Sequence, residues 1–127
     1  MLIKSVMARC PYTILAELSV YEALKKMEVY NIHHLPVVQE QQIVGLISER
    51  DIKLVMALSR AVGFPEDVEV GKICSQEPYI VNENESLAEV TRQMAENRHD
   101  CALIIDEADN FVGIFTNVDA CRCLSLL

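Results

Sequence analysis

Two short segments place a hydroxyl and a carboxylate at a spacing that could bind a ribose phosphate. Ser48 is followed by Asp51 in the first segment, and Thr116 is followed by Asp119 in the second. At a helix start, the hydroxyl and free backbone N–H groups can face a phosphate, while the carboxylate accepts from the two ribose hydroxyls. The same pattern also has a structural interpretation, because a hydroxyl residue caps a helix and an acidic first turn suits its dipole. That interpretation does not require an aspartate at this position in both segments.

The two segments belong to a duplication that runs through the chain. Pro11-Tyr12 recurs as Pro78-Tyr79, and the glycine before each segment recurs after a one-residue insertion in a turn. Because the matched positions keep their order and spacing, the chain contains one unit written twice. Further matched positions are Ser19 and Ser86, Met27 and Met94, 37–38 and 104–105, and Gly45 and Gly113.

Each copy predicts the order strand, helix, strand, strand, helix. Ser19 and Ser86 are predicted to begin helices with a capping box, since a glutamate follows each serine three residues later. Two apolar strands around a polar turn then predict a hairpin, and a closing helix follows. The fold class is therefore α/β (α+β), with two pseudo-symmetric units packed together. The predicted hairpin strands are 35–38 with 43–48 and 102–105 with 111–116, and the closing helices begin near Glu49 and Asn117.

The closing helices, predicted over 49–62 and 117–127, are apolar nearly all round. Such helices must be covered on more than one side, so we predict a homodimer joined through them. The inward set is predicted to be Ile52, Val55, Met56, Cys121 and Leu124. The outward set is predicted to be Leu54, Ala57, Leu58, Cys123 and Leu127.

Composition narrows the class of partner and the compartment. The 127 residues carry a formal net charge of −8, which works against binding of nucleic acid or an anionic membrane surface. The five cysteines are odd in number and scattered, and we find neither a leader nor an apolar run that could span a membrane. We therefore expect reduced thiols and a cytoplasmic location.

The glycine–hydroxyl–aspartate segments, the repeat and the phrase Ile-His-His-Leu-Pro-Val at 32–37 resemble the cystathionine-β-synthase (CBS) domain family. The resemblance covers roughly 4–124 and implies a tandem pair, or Bateman module, with two clefts related by pseudo-twofold symmetry. It implies a regulatory adenosyl ligand (AMP, ADP, ATP or S-adenosylmethionine), no required cofactor and no enzymatic activity. The predicted boundaries are 1–62 for CBS repeat 1, 63–71 for a linker and 72–127 for CBS repeat 2.

The resemblance also assigns roles to individual residues. Asp51 and Asp119 would bind ribose, and Ser48 and Thr116, with Asn117 beside the latter, would reach ribose or the α-phosphate. The residues expected along adenine are Tyr12, Thr13, Ile14, Tyr79, Ile80 and Val81, with Pro36 and Leu103 on the other wall. The candidates for phosphate charge are His33, His34, Arg50, Lys53, Arg98 and His99.

The copies differ in ways that bear on the ligand. The first has Thr13 in its strand and Arg50 within its motif, where the second has Ile80 and Val118. Because the Arg50 charge is close to Ser48, we predict that a phosphate-bearing ligand prefers the first copy.

Several residues carry an alternative interpretation. The pair His33-His34 could suggest a metal site, but no carboxylate matches it at suitable spacing, which favours a half-exposed pair. Cys121 and Cys123 could form half of a zinc site but lack a second pair. The two tyrosines, Tyr12 and Tyr79, could fill the interface between copies instead of contacting adenine. For the whole chain the alternative function is an assembly module with empty clefts.

Overall fold

The computed structural model describes residues 1–9, 12–59 and 68–126, and these divide into two compact units. The central unit is Tyr12–Pro78, and the terminal unit joins Met1–Pro11 to Tyr79–Leu127. The terminal unit begins with a 3-10 turn, Ile3–Ser5, and the strand β1, Ala8–Arg9. The central unit contains β2 (Ile14–Leu15), α1 (Val20–Tyr30), β3 (His34–Gln39), β4 (Gln42–Ser48), α2 (Glu49–Ser59) and α3 (Val70–Ile73). The terminal unit continues with β5 (Ile80–Asn82), α4 (Leu87–Asn97), β6 (Cys101–Ile105), β7 (Phe111–Thr116) and α5 (Asn117–Ser125).

The predicted order of strand, helix, hairpin and helix is confirmed in both copies. The central sheet runs β2-β3-β4 and the terminal sheet runs β1-β7-β6-β5. In each, a short strand pairs parallel to the first hairpin strand, and the hairpin itself is antiparallel. Each hairpin therefore carries its last strand straight into a helix, at Ser48 and at Thr116.

Helix starts follow the prediction in part. The hydroxyl groups of Ser19 and Ser86 accept hydrogen bonds from the backbone N–H of Glu22 and Glu89. The reciprocal half of the box is not made at Ser86, whose N–H donates to the Glu85 side chain. The Glu89 carboxylate instead accepts from Arg92 and Gln93 on its own helix.

The two copies exchange their first turns. Ile3 and Val70 are matched positions of the repeat, and both are fully buried. Ile3 packs in the terminal core with Val90 and Phe115, which belong to the second copy. Val70 packs in the central core, among residues of the first copy. The boundaries 1–62, 63–71 and 72–127 stay a prediction about the sequence, and the compact units cut across them.

Two matched glycines explain part of the motif. A Cβ on Gly45 would lie 2.5 Å from both the Cys74 Sγ and the Ser75 carbonyl oxygen. A Cβ on Gly113 would lie 2.7 Å from the Met7 Sδ. A glycine at this point lets a neighbouring chain segment approach the hairpin strand closely.

The burial of the closing helices agrees with the prediction in α2 and contradicts it in α5. Ile52 is fully buried, while Leu54 and Leu58 are exposed. In α5, Cys123 packs on the terminal core, whereas Cys121 and Leu124 are exposed, so the inward assignment of these last two is wrong. The reason is the helix phase: α5 begins at Asn117 and buries Asp119, which places Cys123 four residues later on the inner side. Residues 60–62 and Leu127 of the predicted helices lie outside the described residues.

Among the helices of the described residues, we find none with the length and apolar character needed to cross a membrane.

Candidate functional site

The first hydroxyl–aspartate pair lies at the junction of β4 and α2. The Asp51 N–H donates to the Ser48 hydroxyl over 3.0 Å, which caps the first turn of the helix. Asp51 is exposed, and within the described residues its carboxylate has no hydrogen-bond or ion-pair partner. Both of its oxygens can therefore accept from solvent or from a ligand. His34 lies beside this junction, since it is the register partner of Ser48.

The second pair, at the junction of β7 and α5, forms a complete capping box. The Asp119 N–H donates to the Thr116 hydroxyl, and the Asp119 carboxylate accepts from the Thr116 N–H over 2.9 Å and from its hydroxyl over 3.1 Å. Arg122 also donates to this carboxylate over 3.1 Å. Asp119 is only 8% exposed. In this copy, Thr116 and Asp119 therefore cap the helix, as the structural interpretation of the motif predicts.

Glu49, next to the Ser48–Asp51 pair, contacts two basic side chains. His33 Nδ1 lies 2.8 Å from one Glu49 oxygen, and Lys53 Nζ lies 2.6 Å from the other. Hydrogen bonds from Lys53 and then from His33 lower the pKa of Glu49 below its ordinary value. The Lys53 ammonium, which the sequence offered for a phosphate, is thus directed to Glu49.

A matching contact ties the second helix start to its strand. The Glu49 N–H donates to the His33 carbonyl over 2.9 Å, and the Asn117 N–H donates to the Asp100 carbonyl over 3.0 Å. The Asn117 side-chain amide also donates to the Asp100 carboxylate over 3.3 Å. Both copies therefore link the first residue of the closing helix to the entrance of the preceding hairpin.

The matched tyrosines each stack on a ring in their own unit. The Tyr12 ring lies 4.0 Å from the Tyr30 ring, and the Tyr79 ring lies 5.0 Å from that of His99. Burial raises the pKa of Tyr79 above its usual value. The carbonyl of Thr13 accepts from the Lys26 ammonium over 2.5 Å. Each tyrosine therefore has one stacked aromatic partner, and contact of either tyrosine with adenine stays a prediction.

Three of the predicted residues in the second copy line one cleft in the terminal unit. Arg98, His99 and Asn117 lie around an open cleft of about 350 Å³ between the end of α4 and the start of α5. Arg98 closes α4 in the left-handed conformation, with φ at 56°. Thr116 and Asp119 do not line this cleft. The cleft is completed by Thr91, Met94, Ala95, Asp100 and Ala120.

Several apolar residues predicted along adenine or on the opposite wall are core residues. Ile14, Pro36 and Leu103 are buried, whereas Ile80 is 38% exposed and Val81 is half-buried. The Leu103 N–H donates to the Tyr79 carbonyl over 2.8 Å. A ligand could therefore meet these strands mainly through exposed edges and backbone groups.

The metal alternatives receive no support from side-chain positions. Within 1–9, 12–59 and 68–126, no three His, Cys, Asp or Glu side chains group closely enough to hold a metal ion. Cys121 and Cys123 are present as free thiols. Burial raises the pKa of the Cys101 thiol to about 12.

Sequence reasoning missed the ion pairs of two charged residues beside the motif aspartates. Glu49 holds Lys53, and Arg122 holds Asp119. A sequence signal existed for both, because carboxylate and cation four or three residues apart on a helix are neighbours.

Comparison with known proteins decides the family. The CBS domain model matches residues 3–58 and again residues 70–126. The chain belongs to the CBS-domain family. The CBS pair of protein MJ0100, crystallised with 5'-methylthioadenosine and S-adenosyl-L-methionine, superposes with a TM-score of 0.82 at 27% identity, covering 98% of this chain and 96% of that one. The resemblance inferred from the sequence is thereby confirmed.

Relatives of this CBS pair differ in length. L-aspartate semialdehyde sulfurtransferase of Methanocaldococcus jannaschii is 27% identical over 122 residues, which cover 95% of this chain and 23% of that enzyme. The CBS domain-containing protein YhcV of Bacillus subtilis is 29% identical over 112 residues, which cover 88% of this chain and 77% of that protein. The chain thus spans less than a quarter of the enzyme it resembles.

Proposed function

We propose that this CBS pair is a regulatory module that binds an adenosyl compound: AMP, ADP, ATP or S-adenosylmethionine. The observation that carries the proposal is the strand-to-helix junction of the first repeat, where Ser48 caps α2 and Asp51 is exposed; the hydroxyl–aspartate motif recurs in the second repeat. The similar CBS pair of MJ0100 was crystallised with two adenosyl compounds, which supports this ligand class. The proposed role is regulation, which is the role that membership of the CBS family implies for such a pair.

The chemistry of the junction suits an adenosyl group. The start of a helix carries partial positive charge from its aligned peptide dipoles, so it attracts a phosphate or carboxylate. An exposed carboxylate beside them can accept from both ribose hydroxyls. The stacked rings of Tyr12 with Tyr30 and of Tyr79 with His99 offer flat surfaces for a base.

The proposal is tested with the chain purified from cells under gentle conditions. Native mass spectrometry should show a retained adenosyl compound, and calorimetry should show saturable binding of AMP, ATP, S-adenosylmethionine or 5'-methylthioadenosine. Guanosine monophosphate is the control, since it shares ribose and phosphate but not the adenine edge. Failure of all four adenosyl compounds to bind would refute the proposal.

The competing function is an assembly module that uses the same fold without a ligand. The observation that favours it is the exposure of Leu54 and Leu58 on α2, and of Val118 and Leu124 on α5. Exposed apolar helix faces of this kind mark protein interfaces. The two functions differ in calorimetry, and dimerisation is compatible with both.

We expect Arg50→Ala to weaken ATP more than adenosine. Arg50 follows Ser48 closely at the start of α2, so its guanidinium can interact with phosphates, whereas adenosine has none. Removing one charge-assisted hydrogen bond at an exposed position corresponds to a change of about tenfold in Kd. Calorimetry with both ligands measures the difference, and Lys25→Ala on α1 is the control. Equal losses for ATP and adenosine would show that Arg50 acts through the fold.

A further inference from the structure

The two motif aspartates differ in what their carboxylates already contact. The Asp119 side chain is 10% exposed and accepts three hydrogen bonds, two from Thr116 and one from Arg122. Asp51 is exposed, and within the described residues its carboxylate accepts none. At matching positions of the repeat, the Asp119 carboxylate is therefore hydrogen-bonded within the protein, and the Asp51 carboxylate can accept from a ligand.

A ribose needs a carboxylate with open acceptor positions. An ionised carboxylate has about four acceptor positions. Because Asp119 already accepts three hydrogen bonds, accepting from two ribose hydroxyls would cost it at least one bond to Thr116 or Arg122. The donor that is released, from Thr116 or Arg122, would then need another partner. Asp51 requires no such exchange, because within the described residues its carboxylate accepts no hydrogen bond, while its backbone N–H donates to the Ser48 hydroxyl over 3.0 Å.

The two aspartates differ because the basic residues of α2 and α5 lie at different positions relative to them. Arg122 stands three residues after Asp119 and reaches back to it. The matched position in α2 is Leu54, which cannot pair with Asp51. In α2 the cations are Arg50 and Lys53, and Lys53 is held by Glu49. The arginine of α5 thus pairs with Asp119, whereas α2 has a leucine at the matched position and Asp51 can accept from a ligand.

We infer that Asp51 is the ribose-binding residue of this chain and that Asp119 is an internal cap of α5, so that one adenosyl ligand binds per chain. The inference rests on the proposed function and names which of the two matched motifs performs it. The second motif stabilises the terminal unit, and the first takes the ligand.

The test compares Asp51→Asn with Asp119→Asn in the full chain, using S-adenosylmethionine and AMP. Calorimetry should give one site per chain in the wild type. Asp51→Asn should weaken binding by about ten- to a hundredfold, the effect of hydrogen bonds to a charged group. Asp119→Asn should leave the affinity within about twofold of the wild type and lower the melting temperature more than Asp51→Asn does.

A second pair of variants covers the case in which Asp119→Asn does not fold. Arg122→Leu copies the residue of the first repeat, and the affinity of the Asp51 site should stay unchanged. Leu54→Arg places a guanidinium three residues after Asp51, where it should pair with that carboxylate and weaken the ligand. Leu54→Gln is its control, because it adds polarity without a charge.

The outcomes separate the inference from the function on which it rests. Two ligands per chain, or a loss of affinity in Asp119→Asn equal to that in Asp51→Asn, would overturn the inference and leave the proposed function standing. A wild type that binds neither compound would overturn both. Equal melting temperatures for the two aspartate variants would overturn the assignment of Asp119 as a cap.

Discussion

Replacing Leu54 and Leu58 together by glutamate is expected to leave the protein monomeric or insoluble, whereas we expect the wild type to be a homodimer. Leu54 is 56% exposed and Leu58 is 73% exposed, one turn apart on α2. Such side chains are usually covered by a partner, and a closed twofold contact is the commonest oligomer. Two new carboxylates in each chain would then face those of the second chain, and their burial without partners is strongly unfavourable.

Sedimentation at low micromolar concentration measures this effect. Lys25→Glu on α1 is a matched control, because it changes the net charge by the same amount at an exposed position outside the closing helices. It should remain a dimer. A wild type that sediments as a compact monomer at every concentration would contradict the dimer and leave the α2 stripe to another partner.

Phe115→Ala is expected to lower the free energy of unfolding of the terminal unit by about 3–5 kcal/mol. Phe115 is the largest of the fully buried side chains and packs with Ile3, Val90 and Ile104. Its removal costs the transfer free energy of the ring together with the cavity that remains. Because small domains are stable by only about 5–15 kcal/mol, this loss would bring the unit close to unfolding.

Urea denaturation followed by circular dichroism measures the change in stability. Phe111→Ala is the control on the same strand, since Phe111 is only half-buried and should cost clearly less. Equal stability of the two variants would contradict the position of Phe115 at the centre of the terminal core. Phe115 also precedes Thr116, so the variant tests whether the core holds the capping box in place.

Short-range sequence patterns determined the secondary structure and the family of this protein. Ser19 and Ser86 begin helices as predicted, because a capping hydroxyl acts on an N–H only three residues away. The hairpins follow from apolar runs around a polar turn, and the repeat doubled each of these signals. The motif and its repeat also led to the CBS family, since spacing within one strand–helix junction is a local property. None of these features depends on residues far apart in the chain.

Contacts between distant residues decided the rest. Ile3 and Val70 hold matched positions, yet each is buried in the core of the other copy, a choice set by packing across the whole chain. Cys123 turned inward because the capping box of Thr116 and Asp119 sets the phase of α5. Asp51 and Asp119 hold matched positions in the sequence. Among the described residues, however, the Asp119 carboxylate is buried, accepts hydrogen bonds and pairs with a cation, whereas that of Asp51 is exposed and does neither. The role of a side chain depends on which partners lie within contact distance, and only the folded chain brings those partners together.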